Sequence, residues 1–150
     1  MKIRKAKLKD INEITNLLEV LFTQEGEFEF NTKLHQKGLK KIIQNKKVGR
    51  IFVALKDKKV IACVNILYTI STALGSKVVL LEDMIVNPQY QNQGIGKKLL
   101  SNVLEYLKNK KIQRVTLLTD GDNLKGHNFY KSLGFKQSSM RIFRQRIVNG

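Results

Sequence analysis

Six residues in the second half of the chain, Gln91-Asn92-Gln93-Gly94-Ile95-Gly96, follow an apolar stretch and open a run with helical periodicity. Glycines at that position let a ligand approach the main chain without a side chain in the way. The amides of a first helical turn, which have no intrahelical acceptor, point at whatever lies beyond. Such a place binds anions. Lys97 and Lys98 come next, two cations at the positive end of the helix dipole. Without a bound anion each is unfavourable by about 0.3–1 kcal/mol, and a pyrophosphate reverses that sign. The spacing is neither the three-glycine dinucleotide fingerprint nor a P-loop, which would end in Gly-Lys-Ser/Thr. It points to a phosphate-bearing cofactor other than a nucleoside triphosphate.

The carboxylates are the second informative set. Among 150 residues there are 28 Lys+Arg and only 12 Asp+Glu, a formal charge of +16. Glu19, Glu25, Glu27 and Glu29 lie in a stretch from 19 to 30 that has no lysine or arginine, and Glu82, Asp83, Asp120 and Asp122 flank the segments around the glycine turn. A surplus of positive charge suits nucleic acid, an anionic membrane or an acidic small molecule. No zinc pattern, helix-turn-helix or aromatic RNA-binding signature accompanies it, so no nucleic-acid partner is expected. The longest uncharged run, Val60 to Ser76, is short for a membrane span and is interrupted by Asn65, Thr69, Ser71, Thr72 and Gly75. No membrane association is expected. The basic start, Met1 to Lys7, lacks the apolar stretch of a signal peptide, which suggests a cytoplasmic protein. Cys63, the only cysteine, sits in the apolar part of the long run and reads as a small core residue. No cluster has metal-ligand spacing, and no metal is expected.

These residues must be positioned by a fold, and the hydrophobic pattern outlines one. A chain 42% hydrophobic, without repeats, is expected to form one domain over residues 1–150. Ile3 to Lys7 alternates as a strand, and Asp10 is expected to cap a helix with Ile11, Ile14, Leu17, Leu18 and Leu21 on one side. A second helix starts at Thr32 and ends near Asn45. Arg50 to Leu55 and Lys59 to Ile70 read as strands joined at Lys56-Asp57-Lys58. Lys77 to Val86 is a strand ended by Asn87-Pro88. The next helix buries Ile95, Leu99, Leu100, Val103, Leu104 and Leu107. Arg114 to Thr119 is a strand, Leu124 to Leu133 a short helix stopped by Gly134, and Phe135 to Ile147 contains a final strand. Hairpins followed by a strand-helix-strand crossover imply an α/β (α+β) fold with a mixed sheet flanked by helices.

Gln91-x-x-Gly94-x-Gly96 after a strand ending in Val86-x-Pro88 resembles the acetyl-CoA motif of the GNAT superfamily of N-acetyltransferases. Asn123, Phe129-Tyr130 and Leu133-Gly134-Phe135 fall where that family's further marks lie. The similarity in element order spans residues 3 to 136. It implies a mixed, mostly antiparallel sheet with a splayed strand pair forming the cofactor cleft, and acetyl-CoA as cofactor. By that resemblance backbone groups of Met84, Ile85 and Val86 pair with the pantetheine arm as an extra strand. Amides from Gln93, Gly94, Ile95, Gly96, Lys97 and Lys98 hold the pyrophosphate, with Gln91, Asn123 and Tyr130 as further cofactor contacts. In the family a bulge in this strand splays it from the next.

Transfer to an amine needs a neutral nucleophile, a polarised carbonyl and a proton for the departing thiolate. Alkylamines with pKa of about 10 are mostly protonated at neutral pH, so a base is required. Glu82 is the first candidate, directly or through a water. Asp83 points to the opposite face of a regular strand, and a bulge could exchange their roles. Tyr130 is the matching general acid toward the sulfur, and the Ile85 amide could polarise the carbonyl. Asn123 could cap the helix that bears Tyr130 or bond the pantetheine. His127 is expected at the surface, and the sequence offers His35 no partner.

For the acceptor, "LLEDMIVNPQYQNQGIG" resembles diamine and spermidine/spermine acetyltransferases and glucosamine-6-phosphate N-acetyltransferases, both with a Glu-Asp pair here. The family lines its acceptor pocket with the loop before the second helix, here Gln24-Glu25-Gly26-Glu27-Phe28-Glu29-Phe30. Its carboxylates and aromatics, Glu25, Glu27, Phe28 and Glu29 above all, suit a cationic amine with an apolar portion. The +16 surface instead favours anions such as a sugar phosphate. The expected function is acetyl transfer to a primary amine of a small molecule, polyamine-like or an amino sugar. Alternatives are a non-catalytic acetyl-CoA sensor and a protein or peptide acetyltransferase. Dimers are frequent among relatives, and a homodimer is compatible with this reading.

Overall fold

The computed structural model describes residues 1–25 and 31–148. Strand β1 (Lys2–Lys5) leads through a 3-10 turn (Leu8–Asp10) into α1 (Ile11–Glu25), followed by α2 (Thr32–Ile43). Three strands come next, β2 (Gly49–Lys56), β3 (Lys59–Ser71) and β4 (Ser76–Val86), then α3 (Ile95–Asn109), β5 (Val115–Leu117) and α4 (Leu124–Ser132). The sheet order is β1-β2-β3-β4-β5, antiparallel throughout except for the parallel β4–β5 pair. A parallel pair needs a crossover, and α3 supplies it.

The β2–β3 hairpin turns at Asp57 and Lys58, which both have positive φ, 50° and 65°. Left-handed values at both central residues suit the right-handed twist of the flanking strands.

Each face of the sheet is covered. Ile14, Leu17 and Leu18 of α1 and Leu39 of α2 pack on Ile51, Val53, Cys63 and Ile85. Leu99, Leu100, Val103 and Leu107 of α3 pack on Phe52, Val64, Ile66, Val79 and Leu81, on the opposite side. The i, i+4, i+8 spacing read in α3 is the spacing of these buried leucines and valine.

Asp10, expected to cap the first helix, turns its carboxylate back toward β1 instead. It lies in the turn before α1, accepts from the Lys7 amide at 2.7 Å, and takes both Arg4 guanidinium nitrogens at 2.7 and 3.0 Å. The side chain thereby fastens the end of β1 to the start of α1.

The expected final strand is absent: residues 135–148 form no strand, and Met140, Phe143 and Ile147 are 88%, 95% and 81% exposed. Alternation in a sequence becomes a strand only beside a pairing edge. Here the sheet ends at β5, reduced from the expected six residues to Val115–Leu117.

Candidate active site

The pairing of β3 with β4 contains the decisive irregularity. Cys63 is opposite Ile85 and Asn65 is opposite Glu82, so two steps along β3 match three along β4. The extra residue is a bulge, and Asp83 within it has φ +55°. Aspartate is among the few side chains that enter this left-handed region readily. The bulge shifts the alternation of β4. Val79 and Leu81 face α3, and after the extra residue Met84 and Val86 face α3 as well, whereas Ile85 faces α1. A regular strand would have put Asp83 on the face opposite Glu82. Instead Asp83 reaches Asn65, and both acids line the same cleft.

That cleft, about 940 Å³, opens where β4 and β5 part company. Their last pair is Leu81 with Leu117, while β4 runs on to Val86. Between them the outer edge of β4 has no strand beside it among the described residues, leaving room for an extended ligand to add as one. The cleft draws from distant parts of the chain: Glu25 from the end of α1, Glu82 and Asp83 from β4, Asp120, Asp122 and Asn123 before α4, and Tyr130 from α4. Five carboxylates and one arginine, Arg144, thus line one depression in a chain of charge +16.

This crowding changes the acids. Burial, then the negative charges of Glu82 and Glu25, push the Asp83 carboxyl up to about 7. Its Oδ2 accepts from Asn65 Nδ2 at 2.7 Å, and its main-chain carbonyl faces the Cys63 thiol at 3.7 Å. Burial, followed by the Glu25 charge, pushes Tyr130 up to about 12. Tyr130 is therefore a neutral phenol across the physiological range. Its ring packs edge-on against Phe129 and Phe135, at 5.2 and 5.8 Å between centroids. Cys63 is buried, and burial raises its thiol far from reactivity.

The glycine turn follows at the end of β4. Gly94 caps α3 with φ +79°, no side chain caps the helix, and no acidic residue sits in its first turn. A Cβ on Gly94 would meet nothing within 4 Å, so the approach to the first-turn amides is open. Gly96 sits where α3 meets β4 and α4: a Cβ there would be in van der Waals contact, 3.4 Å from Met84, Val86 and Phe129 side-chain carbons. Lys97 and Lys98 are exposed beside the turn. An open left-handed cap, uncapped amides and adjacent lysines fit a diphosphate. Gln91 has a bracing role, its Nε2 donating to the Val86 carbonyl at 3.2 Å.

Asn123 caps α4, its Oδ1 accepting from Gly126 N at 3.1 Å. His127 is half-buried, with Nε2 2.8 Å from the Asp120 carbonyl, and so ties α4 to the loop before it. His35 has partners after all: its Nε2 accepts from the Asn31 amide at 3.0 Å and its ring packs on Phe22. Of the expected acceptor residues, Glu25 lines the cleft; Glu27, Phe28 and Glu29 lie outside the described residues. Sequence reasoning passed over Asn65 as a mere interruption of an apolar run, and that interruption was its signal. Among the described residues no group of three His, Cys, Asp or Glu gathers as a metal site, and no helix is long and apolar enough to cross a membrane.

The family model described as the Acetyltransferase (GNAT) family matches residues 11–135. The chain belongs to that family, whose members use acetyl-CoA. A thialysine N-epsilon-acetyltransferase of Mus musculus is 40% identical over 67 residues, 45% of this chain and 39% of that protein. Across three curated relatives the matched segment covers 28 to 40% of their length. Among solved structures, a possible acetyltransferase from Clostridium difficile 630 superposes with TM-score 0.88 at 19% identity, covering 99% of this chain and 98% of the other. A predicted acetyltransferase from Clostridium acetobutylicum, solved with acetyl-CoA, superposes with TM-score 0.81 at 18% identity, covering 96% and 95%. These likenesses establish the fold.

Proposed function

We propose that the protein is an acetyl-CoA-dependent N-acetyltransferase that acts on a cationic primary amine of a small molecule, with Asp83 as the base and Tyr130 as the acid. Bound acetyl-CoA supplies an activated acetyl thioester. The amides of Gln93 to Lys97 hold its pyrophosphate, the expected Lys98 amide being taken by the Gly94 carbonyl at 3.1 Å, and the open edge of β4 from Glu82 to Val86 receives its extended arm. The observation that carries the reading is the carboxylate-lined cleft beside this turn.

An ammonium group is attracted by Glu25, Glu82, Asp120 and Asp122 and must then lose a proton. Asp83, raised to about 7, is matched to that step near neutral pH. Glu82 is exposed and contributes charge, which helps to raise Asp83. Tyr130, raised to about 12, retains its proton until the thiolate leaves. The mouse relative's name specifies an N-epsilon amine on a lysine-like chain, which is the same acceptor chemistry.

The test is release of free coenzyme A thiol from acetyl-CoA with a panel of diamines, polyamines, lysine-like amino acids and amino sugars. One or more dicationic amines should be turned over, with kcat/KM rising as pH passes about 7. Tyr130→Phe should lower kcat about 100-fold while leaving coenzyme A affinity within about twofold. Thiol release unaffected by every amine would overturn the enzyme reading in favour of a binding module. Undiminished turnover by Tyr130→Phe would remove the proposed acid.

A further inference from the structure

Asn65 is the one amide in the apolar stretch of β3 from Val60 to Leu67, and it is 3% exposed. Its Nδ2 donates to Asp83 Oδ2 at 2.7 Å, while its Oδ1 has no hydrogen-bond partner among the described residues. A buried amide whose oxygen has no partner among the described residues is unfavourable compared with the leucine or valine that would fill the same strand position. The bond to Asp83 is what the amide achieves there. Two residues earlier on the same strand, the Cys63 thiol faces the Asp83 carbonyl at 3.7 Å. Strand β3 therefore holds the bulged residue at both its main chain and its carboxylate.

We propose that Asn65 is a positioning residue for the proton-accepting carboxylate, holding one oxygen of Asp83 so that the other is presented to the acceptor amine. The inference rests on the assignment of Asp83 as the base. It adds that the base's aim and ionisation are set from the neighbouring strand. The groups surrounding Asp83 are Glu82 on its own strand, Glu25 at the end of α1, Cys63 and Asn65 on β3, and, lining the same cleft, Tyr130, Asp120, Asp122 and Arg144. The acids among them favour the protonated form. Asn65 is the neutral donor that favours the charged one, so its removal should move the Asp83 ionisation further upward.

Asn65→Leu tests this with two readouts: the pH dependence of kcat/KM, and the carbon-13 carboxyl titration of Asp83 in the protein without substrates. Both midpoints should rise together by about one unit, giving about a tenfold loss of kcat/KM at pH 6.5 that shrinks toward pH 9. Affinity for coenzyme A should stay within about twofold, because the pyrophosphate turn is untouched. A rate reduced equally at every pH, with the Asp83 titration unmoved, would overturn the proposal. Should Asn65→Leu fail to fold, Asn65→Ala removes the amide without adding bulk and carries the same expectations. Full activity in Asp83→Asn would instead refute the base assignment; the carboxyl titration separates the two outcomes, since it reports Asn65's hold on Asp83 whatever the turnover.

Discussion

The Asn123 side chain lies against the α carbon of Gly126: its Oδ1 accepts the Gly126 amide at 3.1 Å, and a Cβ on residue 126 would collide with its carboxamide. The glycine at position 126 thus has a local cause. Asn123 also donates to Thr119 Oγ1 at 3.3 Å, so the cap links the loop after β5 to α4. The helix so anchored carries Tyr130.

Gly126→Ala should displace this cap, and Asn123→Ala should delete it. Each is expected to cost about 1 kcal/mol of stability, and because both remove one interaction the double variant should cost little more than either alone. Urea unfolding of the three variants measures this.

Asp83 makes stability depend on pH in the direction opposite to an ordinary paired carboxylate. Its folded-state value is raised to about 7, above the usual carboxylate value near 4. The folded state therefore binds the proton more tightly than the unfolded chain does. Its contribution is fully present below about pH 4 and is lost as pH rises through about 7. Asp83→Asn, which preserves shape, should match the parent at pH 4 and exceed it at pH 8 by up to about 4 kcal/mol. Thermal unfolding at the two pH values checks the sign.

Asp10 has the reverse sign. Burial alone would push its carboxyl up, but the Arg4 hydrogen bond, the Lys7 amide and the charges of Arg4 and Lys9 outweigh burial and hold it below the usual carboxylate range. Its stabilisation is present above about pH 4 and disappears as pH falls through the depressed folded-state value. Asp10→Ala leaves Arg4 without this partner and should cost about 3 kcal/mol at pH 7. The difference from the parent should shrink on acidification, as followed by denaturant titration.

Gly49 opens β2 where a Cβ would run into the backbone carbonyl of Ile66 on β3. Backbone cannot yield as a flexible side chain can. Gly49→Ala should therefore cost about 1–3 kcal/mol, whereas Gly38→Ala, on α2 with nothing within 4 Å, should stabilise by about 0.5–1 kcal/mol. Melting temperatures of the pair should move in opposite directions.

Local pattern was sufficient for much of this protein. The leucines and valine of α3 repeat at helical spacing and are buried; Asp57 and Lys58 form the turn their hairpin required; Cys63 is a core residue; the glycine turn opens a helix. Each follows from residues within one or two turns of each other, where backbone preference and hydrophobic period act directly. The relation between Glu82 and Asp83 was not legible in that way. It depends on one extra residue in β4 relative to β3, and register is a property of two strands. Glu25, Asp83, Asp122 and Tyr130 are far apart along the chain and meet at one cleft because β4 and β5 separate beyond Leu81 and Leu117. The strand expected after Phe135 did not form for the same reason: its alternation is local, whereas a ladder needs a neighbour. Short-range periodicity determined most of the elements and the glycine turn that opens α3, and only the tertiary pairing decided which carboxylate was drawn into the bulge against β3, what held it, and how its proton affinity was set.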